Sequence, residues 1–402
     1  MLMFKVRKET IYCSLLVMYI FNQVLSESQY INIPTSSLVL AAVRYFVLVA
    51  LTIYIFEQNK ICKRWVFLFG PFILFSLLNL ILVDGGISYL VIILFVVASK
   101  NCSLEKIFRY TLYALIASHL FVVLSACIGI LNDNIDFRYV GKFSGSVLSG
   151  AYYRHSMGFL VHNQVPIVCL IIYLYVIVLK RNRIKKTESV AFLVLNYVVF
   201  KYFGSRVVFL LMPLAIASYY LIKMNKNVRL KKITPFLSFI YLVAAVSSII
   251  AAYCYKDNNL WSKIDMIFNN RIRMSSEALR FYGIGLIGSG RKSVLYSSDS
   301  LLNVTLDNGY INVLIGDGIV VFLILIAIWT FITFIAKKKK NNYLLLVLCL
   351  IAVENLINAH LGSFKLIPFF CILANPNDPF LNQSYCSNMK QKIICKNVKL
   401  KQ

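Results

Sequence analysis

The sequence predicts an all-α, polytopic membrane protein with about twelve transmembrane helices. Of its 402 residues, 59% are hydrophobic and only 14% are charged, and the mean hydropathy is +0.74. The apolar residues form continuous blocks of roughly 15–25 residues, the length that crosses a hydrocarbon core of ~30 Å. A membrane β-barrel would show alternating hydrophobicity instead. We therefore expect one integral membrane domain over residues 1–402.

The predicted spans also fit a simple topology. They lie near residues 10–25, 36–56, 65–83, 87–98, 106–131, 156–179, 188–203, 205–222, 234–255, 310–335, 342–359 and 361–375. With the N-terminus inside, every cluster of Lys and Arg between spans falls on the same side, as the positive-inside rule requires. Both termini and the basic tail 376–402 are therefore predicted to be cytoplasmic. We interpret the net charge of +26 as this topology signal and expect no nucleic-acid partner.

Two long segments are predicted to face outward, residues 131–154 and the extracytoplasmic loop 255–309. Long loops beside compact helices often carry function. The ten cysteines form no CxxC pair and have no metal-ligand spacing. We therefore expect no metal and no other cofactor.

Polar side chains gather at four predicted outer ends of spans. They are Arg154, His155, His162 and Asn163; Ser205 and Arg206; Arg271, Arg273, Glu277 and Arg280; and Asp307, Asn308 and Tyr310. In the third group, helical spacing places Arg271 on an apolar stripe with Ile267, Met274, Ala278 and Phe281. An arginine on a buried stripe is costly unless it meets an anion. Arg273 and Glu277 are spaced as a solvated i,i+4 ion pair.

Three of these arginines, Arg154, Arg206 and Arg271, share the predicted outer side, away from the cytoplasmic basic clusters. This placement predicts an anionic ligand, and the planar guanidinium suits phosphate and pyrophosphate. Alternatives remain open for single residues. Arg154 and Arg206 also fit interfacial anchors, His155 also fits a loop residue, and Asp307 and Asn308 also fit helix caps.

At these residues the sequence resembles the Wzy-type polysaccharide polymerases, which share features with O-antigen ligases. The stretch "RHSMGFLVHN" is similar to the family's R-x-S-L-G-F-x-H-P-N pattern at Arg154, Ser156, Gly158, Phe159 and Asn163. Val161 stands where the family has histidine, and His162 stands where it has proline. The pair Ser205–Arg206, the stretch "LDNGYINVLIGDGI" and the stretch "VENLIN" (Val353–Asn358) extend the resemblance over about residues 110–360.

The resemblance implies a metal-independent glycosyltransferase of the all-helical, GT-C-like kind in the bacterial cytoplasmic membrane. It would move a growing glycan from undecaprenyl pyrophosphate onto a new lipid-linked repeat unit at the outer face. Arg154, Arg206 and Arg271 would bind the donor pyrophosphate and stabilise the departing charge. His162, Glu277 and Asp307 are the candidates for a general base.

The resemblance also suggests which residues contact substrate and which proteins act beside this one. Asn163, Ser205, Arg273, Arg280, Asn308 and Tyr310 are the expected substrate-binding residues. A chain-length regulator and a flippase are the possible protein partners, and the lipid bilayer surrounds the spans. Two other functions remain open, an O-antigen ligase and a lipid-linked oligosaccharide flippase or other transporter. A flippase would show two similar halves, which we do not find in the sequence.

Overall fold

The computed structural model describes residues 2–57, 63–83, 87–140, 150–224, 236–256, 261, 263–265, 270–289 and 306–382. These residues are mostly helical. The contacts divide the chain into two compact units, each built from two stretches of sequence. Unit 1 comprises Met1–Glu57 and Glu105–Met224, and unit 2 comprises Gln58–Leu104 and Asn225–Gln402. The prediction of a single domain stays a prediction.

Unit 1 holds six helices and a β-hairpin in its described part. The elements are α1 (Leu2–Ser26), α2 (Pro34–Glu57), α5 (Leu104–Cys127), β1 (Ile135–Val140), β2 (Gly150–His155), α6 (Gln164–Lys180), α7 (Lys186–Phe203) and α8 (Arg206–Met224). Helix α7 ends at Gly204, whose φ of 63° is the left-handed conformation that commonly terminates helices. Gly204 and Ser205 together separate α7 from α8.

The β-hairpin departs from the all-α prediction. Strands β1 and β2 pair antiparallel, with Ile135 opposite His155 and Asp136 opposite Arg154. The predicted outer segment 131–154 therefore contains regular structure at both ends, and residues 141–149 lie outside the described residues. The predicted span 156–179 starts too early, because residues 156–163 form turns and α6 begins only at Gln164.

Unit 2 holds the remaining described helices. They are α3 (Lys63–Val83), α4 (Ile87–Ala98), α9 (Ile240–Cys254), α10 (Arg271–Tyr282), α11 (Gly309–Gly316), α12 (Ile319–Lys338), α13 (Asn342–Glu354) and α14 (Ile367–Phe370). Helix α9 packs against α10, α11, α12 and α13. Helix α10 lies within the predicted outward loop 255–309, so this loop is partly ordered into a helix that packs on the bundle.

Five described helices are long and apolar enough to cross a membrane: α2, α5, α6 with the turn that follows it, α8 and α12. Shorter apolar helices occur in α3, α4, α9 and α13. Large apolar side chains are exposed on α2, including Leu38, Phe46 and Phe56 at 74%, 59% and 65%. Apolar exposure on this scale fits lipid rather than water. The fold is that of a helical membrane protein, and the count of twelve spans stays a prediction.

The predicted span 310–335 is wrong as a single helix, because the chain breaks between α11 and α12 at Asp317 and Gly318. The segment 285–289 packs into this break. Ser289 N–H donates to the Ile315 carbonyl, and Ile319 N–H donates to the Gly285 carbonyl. These bonds satisfy backbone groups that the interrupted helix leaves open.

Two side chains from α3 and α4 fix the same break. The Asn79 amide donates to the Asp317 carbonyl at 2.7 Å and accepts from Gly288 N–H at 3.0 Å. The Tyr89 hydroxyl donates to the Asp317 carboxylate at 2.7 Å. The sequence did not predict this break, because the residues on both sides are apolar and hydropathy reports polarity rather than backbone conformation.

The predicted span 361–375 is also wrong. This segment forms a short 3₁₀ turn (Phe364–Leu366), the four-residue α14 and further turns. Ser363 accepts a hydrogen bond from Lys365 N–H, which starts the 3₁₀ turn. The segment is nevertheless buried almost throughout, since Phe369 and Ile372 are fully buried. The apolar residues of this segment therefore pack inside unit 2. Of the predicted cytoplasmic tail 376–402, residues 383–402 lie outside the described residues.

We predict that Gly318→Ala destabilises unit 2. Gly318 has a φ of 88°, and a Cβ built there would lie 2.5 Å from the Leu286 carbonyl oxygen. A residue held in this backbone region costs about 1–3 kcal/mol, and the clash with backbone adds to that cost. The measurement is the melting temperature of the detergent-solubilised protein. Gly70→Ala in α3 is the control, since its Cβ meets no described atom within 4 Å; an equal loss in both variants would contradict the prediction.

Candidate functional site

Two clusters of polar side chains, one in each unit, contain some of the predicted site residues. The hairpin cluster, in unit 1, consists of Asp133, Arg154, His155, His162 and Asn163. The Arg271 cavity, in unit 2, is lined by α9, α10, Trp261, Asn308 and Leu356. Each cluster is described within its own unit.

Arg154 makes the hydrogen bonds that link the hairpin cluster to two helices. Its side chain is only 7% exposed. Nε donates to the Phe203 carbonyl at 3.1 Å, and Nη2 donates to the Asn163 side-chain oxygen at 2.6 Å. One guanidinium thus connects β2 with the end of α7 and the start of α6. The structure brings Arg154 and Asn163 into contact; the first was predicted to bind the pyrophosphate and the second to bind substrate. Two N–H groups of Arg154 are already used in hydrogen bonds within the protein.

Asp133 holds the chain that follows β2. Its Oδ1 accepts from the N–H groups of Ser156 and Met157 at 2.9 and 2.8 Å. Its Oδ2 lies 2.5 Å from Nδ1 of His155. Burial acts to raise the pKa of Asp133, but the hydrogen bonds from His155, Met157 and Ser156 outweigh burial, and the pKa is lowered from its usual value. Asp133 was not among the predicted site residues, because its partners lie 22 to 24 positions away in sequence.

His155 and His162 differ in their partners. His155 ends β2, where the sequence alone left it as a loop residue, and it pairs with the Asp133 carboxylate. His162 is half-buried, and its Nε2 donates to the Asn134 carbonyl at 3.2 Å. Burial lowers the pKa of His162, and the nearby Arg154 lowers it further. His162 is therefore neutral at pH 7, but no carboxylate orients it among the described residues.

Two further residues of the resembled motif are structural in unit 1. Gly158 has a φ of 81°, and a Cβ there would meet Leu131 Cδ1 at 2.9 Å. Phe159 is fully buried and stacks on His119 with ring centroids 5.2 Å apart. Of the second predicted pair, Ser205 is buried, whereas Arg206 is the first residue of α8 and half-buried.

The Arg271 cavity has a volume of about 230 Å³. Arg271 is the first residue of α10 and is 6% exposed. Its Nη2 lies 3.1 Å from Oδ2 of Asp307, whose side chain is 44% exposed. Asp265 caps the same helix, because its Oδ1 accepts from Ile272 N–H and Arg273 N–H. The predicted burial of Arg271 is therefore confirmed, and Asp307 supplies a carboxylate partner for it.

The buried face of α10 differs from the predicted stripe. Arg271 and Ala278 are buried as expected, but Phe281 is 65% exposed and Met274 is half-buried. Ser275, Ser276 and Leu279 are buried instead, and Ser275 donates its hydroxyl to the Arg271 carbonyl at 2.7 Å. Ile267 lies outside the described residues.

The other predicted residues of unit 2 divide into surface and core. Arg273 and Glu277 form the predicted exposed i,i+4 pair at 3.7 Å. Arg280 is exposed, and its Nη2 lies 3.5 Å from the Tyr255 carbonyl. Asn308 caps α11 by accepting from Tyr310 N–H and Ile311 N–H.

Asn308 also faces the cavity, because its Nδ2 donates to Ser248 Oγ at 3.2 Å. Tyr310, predicted to bind substrate, is fully buried, and its hydroxyl donates to the Ala352 carbonyl at 3.0 Å. These contacts are those of a core residue.

Buried ionisable side chains of unit 2 were only partly anticipated. Glu354, within the "VENLIN" stretch, is 4% exposed and interacts electrostatically with Lys365 and Arg271. His360 Nε2 lies 3.8 Å from the Glu354 carboxylate. Lys365 is fully buried. Within the described ranges, no three His, Cys, Asp or Glu side chains form a metal-binding group.

We predict that Asp133→Ala loosens the hairpin. The variant leaves Ser156 N–H and Met157 N–H without their acceptor, and an unsatisfied buried donor costs about 1–3 kcal/mol. Hydrogen exchange measured by mass spectrometry on the peptide spanning residues 150–160 should become faster. Asp136→Ala on β1, where the side chain is exposed, is the matched control; similar exchange in both variants would count against this role of Asp133.

The lowered pKa of Asp133 sets a pH dependence for the same peptide. A carboxyl whose pKa is lowered in the folded state stabilises the fold above its unfolded pKa, and this stabilisation is lost as pH falls through the folded pKa. Protection of residues 150–160 should therefore persist at about pH 4, the usual aspartate pKa, and decrease only below it. Exchange rates corrected for intrinsic pH effects test this, and a loss of protection centred above pH 4 would contradict it.

The sequence matches no protein-family model, and no curated protein is significantly similar to it. The functional conclusion therefore depends on the residues and their geometry.

Proposed function

We propose that this protein is a membrane glycosyltransferase that polymerises polysaccharide in the manner of the Wzy-type family. It would transfer a growing glycan from undecaprenyl pyrophosphate to the sugar end of a new lipid-linked repeat unit, at the outer face of the bacterial cytoplasmic membrane. The observation that carries the proposal is the buried Arg271 lining a cavity beside α9. The motif residues around Arg154 and Arg206 add to it.

The environment of Arg271 suits an exchangeable anion. Its guanidinium is buried, whereas its partner Asp307 is 44% exposed. An arriving phosphate group would replace the Asp307 carboxylate, which then turns to water at little cost because it is already half solvated. A guanidinium at low exposure binds phosphate more strongly than one in bulk water, since screening is weaker there.

The size and lining of the cavity favour a compact, polar group. Its volume of about 230 Å³ is below the ~300–1,000 Å³ of pockets for drug-sized ligands. Ser248 and Asn308 supply hydrogen-bonding groups, and Trp261 supplies an aromatic wall. The long lipid and glycan chains would therefore extend outside the cavity, and only the reacting group would enter.

In the proposed reaction, negative charge grows on the pyrophosphate as the bond to the anomeric carbon breaks. A fixed cation at that position stabilises the transition state more than the ground state, which accelerates the reaction. Arg271 is assigned this role, and the contributions of Arg154 and Arg206 to the same donor remain predictions.

Deleting the gene tests the proposed function. We expect surface glycan with single repeat units in place of the long-chain ladder on a gel. Unlinked polymer that accumulates on its lipid carrier would indicate a ligase. Repeat units trapped on the cytoplasmic side would indicate a flippase, and an unchanged ladder would overturn all three functions.

We further predict that Arg271→Lys reduces long-chain polymer at least 10-fold in the complemented deletion strain. Lysine keeps the charge but loses the planar pair of donors. Arg109→Lys is the matched control, because Arg109 lies on α5 outside both clusters and its side chain is about half exposed. Immunoblotting of membranes must show equal amounts of both proteins. Normal polymer in Arg271→Lys would remove the pyrophosphate role from Arg271.

A further inference from the structure

Ser248 brings a hydroxyl group to the wall of the Arg271 cavity. It belongs to α9, whereas Arg271 belongs to α10, and both residues line the cavity. Ser248 is only 5% exposed, and Arg271 is 6% exposed. Two packed helices of unit 2 therefore each contribute a buried polar group to the same cavity. Nothing in the local sequence marks Ser248, which lies in an apolar helix beside a second serine.

The amide of the neighbouring Asn308 has a defined orientation. Its Oδ1 accepts from Tyr310 N–H at 3.0 Å and from Ile311 N–H at 3.1 Å. Since a backbone N–H only donates, the oxygen of the amide must face these two groups. Nδ2 of Asn308 therefore lies on the side of Ser248 Oγ, 3.2 Å away. An amide nitrogen only donates, so Ser248 is the acceptor in this bond.

The hydroxyl hydrogen of Ser248 is left for another partner. A serine inside a helix can donate to a carbonyl one turn back, as Ser247 does to the Ala244 carbonyl at 3.0 Å. For the hydrogen of Ser248, no acceptor lies among the described residues. A buried donor without an acceptor is costly. The position of Ser248 in the cavity wall therefore favours an acceptor inside the cavity.

The two donors indicate the class of ligand. Arg271 supplies positive charge and N–H groups, and Ser248 supplies a neutral O–H group. A phosphate group within a pyrophosphate ester carries negative charge and more than one unesterified oxygen, so each donor can bind its own oxygen. A sugar hydroxyl has no charge to balance the guanidinium, and an apolar chain has no acceptor. The cavity therefore suits the phosphate part of a lipid-linked sugar.

We propose that Ser248 is a second phosphate-binding residue of the Arg271 cavity and that Asn308 is its positioning residue, an inference that rests on the proposed polymerase function. The Ser248 hydroxyl donates to one unesterified oxygen of the donor pyrophosphate, and the Arg271 guanidinium binds another. Asn308, expected from the sequence to bind substrate itself, occupies a lone pair of Ser248 and so directs its hydrogen to the ligand. Because the departing pyrophosphate gains negative charge, both donors bind it more tightly in the transition state.

Three substitutions separate this role from a structural one. Ser248→Ala removes the hydroxyl, and Ser248→Thr keeps it. Asn308→Asp keeps the oxygen that caps α11, but its second oxygen accepts instead of donating, which draws the Ser248 hydrogen away from the cavity. Aspartate and asparagine cap helices about equally well, so this variant should melt at the wild-type temperature. Ser118→Ala is the matched control, because Ser118 is a fully buried serine of α5 whose hydroxyl donates to the Ala114 carbonyl.

The binding assay uses the full-length protein in detergent and inorganic pyrophosphate as the probe, measured by isothermal titration calorimetry. We expect the wild type and Ser118→Ala to bind with the same affinity, and Ser248→Thr to stay close to them. Ser248→Ala should bind about 10-fold more weakly, as expected for the loss of a hydrogen bond to a charged group. Acetate at the same ionic strength tests the ligand class and should not compete with pyrophosphate.

Three results would overturn the inference. They are equal pyrophosphate affinity in Ser248→Ala and the wild type, competition by acetate as strong as competition by inorganic phosphate, and absence of pyrophosphate binding in the wild type. Melting temperatures without ligand complete the comparison. A Ser248→Ala protein that melts below the wild type but keeps full affinity would show that the hydroxyl only supports the fold.

The positioning role of Asn308 is tested in two backgrounds. The carboxylate introduced by Asn308→Asp also repels an anion, so this variant weakens pyrophosphate binding even without an effect on Ser248. If Asn308 acts through Ser248, the same substitution weakens binding less in the Ser248→Ala protein than in the wild type. An equal fold-loss of affinity in both backgrounds would contradict the positioning role.

Polymer analysis separates this inference from the proposed function. In the complemented deletion strain, Ser248→Ala should reduce long-chain polymer about 10-fold, with equal amounts of protein on immunoblots. If pyrophosphate affinity depends on Ser248 but the deletion strain keeps its ladder, the polymerase function fails and the phosphate-binding role of Ser248 stands. If the deletion strain loses its ladder while Ser248→Ala keeps full affinity and normal polymer, only the role of Ser248 fails.

Discussion

The ion pair between Arg271 and Asp307 shows the constraint on which the candidate site depends. A charge removed from water must be balanced, or the fold loses several kcal/mol. In unit 2 the buried guanidinium is balanced by an aspartate that stays 44% exposed. The pair is therefore asymmetric. The guanidinium is enclosed by protein and its carboxylate partner faces water, and the proposed binding of a phosphate group at Arg271 depends on this asymmetry.

Much of the helical architecture was predictable because apolar blocks in this chain coincide with helices. The predicted span 36–56 corresponds to α2, and 87–98 corresponds to α4. Prediction failed where an apolar run is not one helix. Asp317 and Gly318 interrupt a run whose hydropathy is high on both sides, and the break exists because residues 285–289 occupy it. That contact joins segments about thirty positions apart and leaves no local signal.

The candidate site was predictable to the extent that it consists of unusual residues in an apolar context. Arg154 and Arg271 were singled out because charge is rare there, and both are buried. The partners were not predictable. Asp133 reaches His155 only through the register of β1 and β2, and the burial of Ser275 depends on a hydroxyl bonded back to the Arg271 carbonyl. Residue type and local sequence indicate what a side chain could do, but they do not show which side chain lies beside it across a hairpin.

The two buried arginines, described each within its own unit, differ in a way that sequence alone does not reveal. Arg154 donates to a backbone carbonyl and to the amide oxygen of Asn163. Neither acceptor is charged, and both belong to helix ends, so exchange with a ligand would loosen the attachment of the hairpin to α6 and α7. Arg271 contacts a half-exposed carboxylate, and the caps of α10 and α11 come from Asp265 and Asn308 instead. Arg154 therefore positions the hairpin, whereas the proposed exchange of Asp307 for phosphate at Arg271 would leave both helix caps intact.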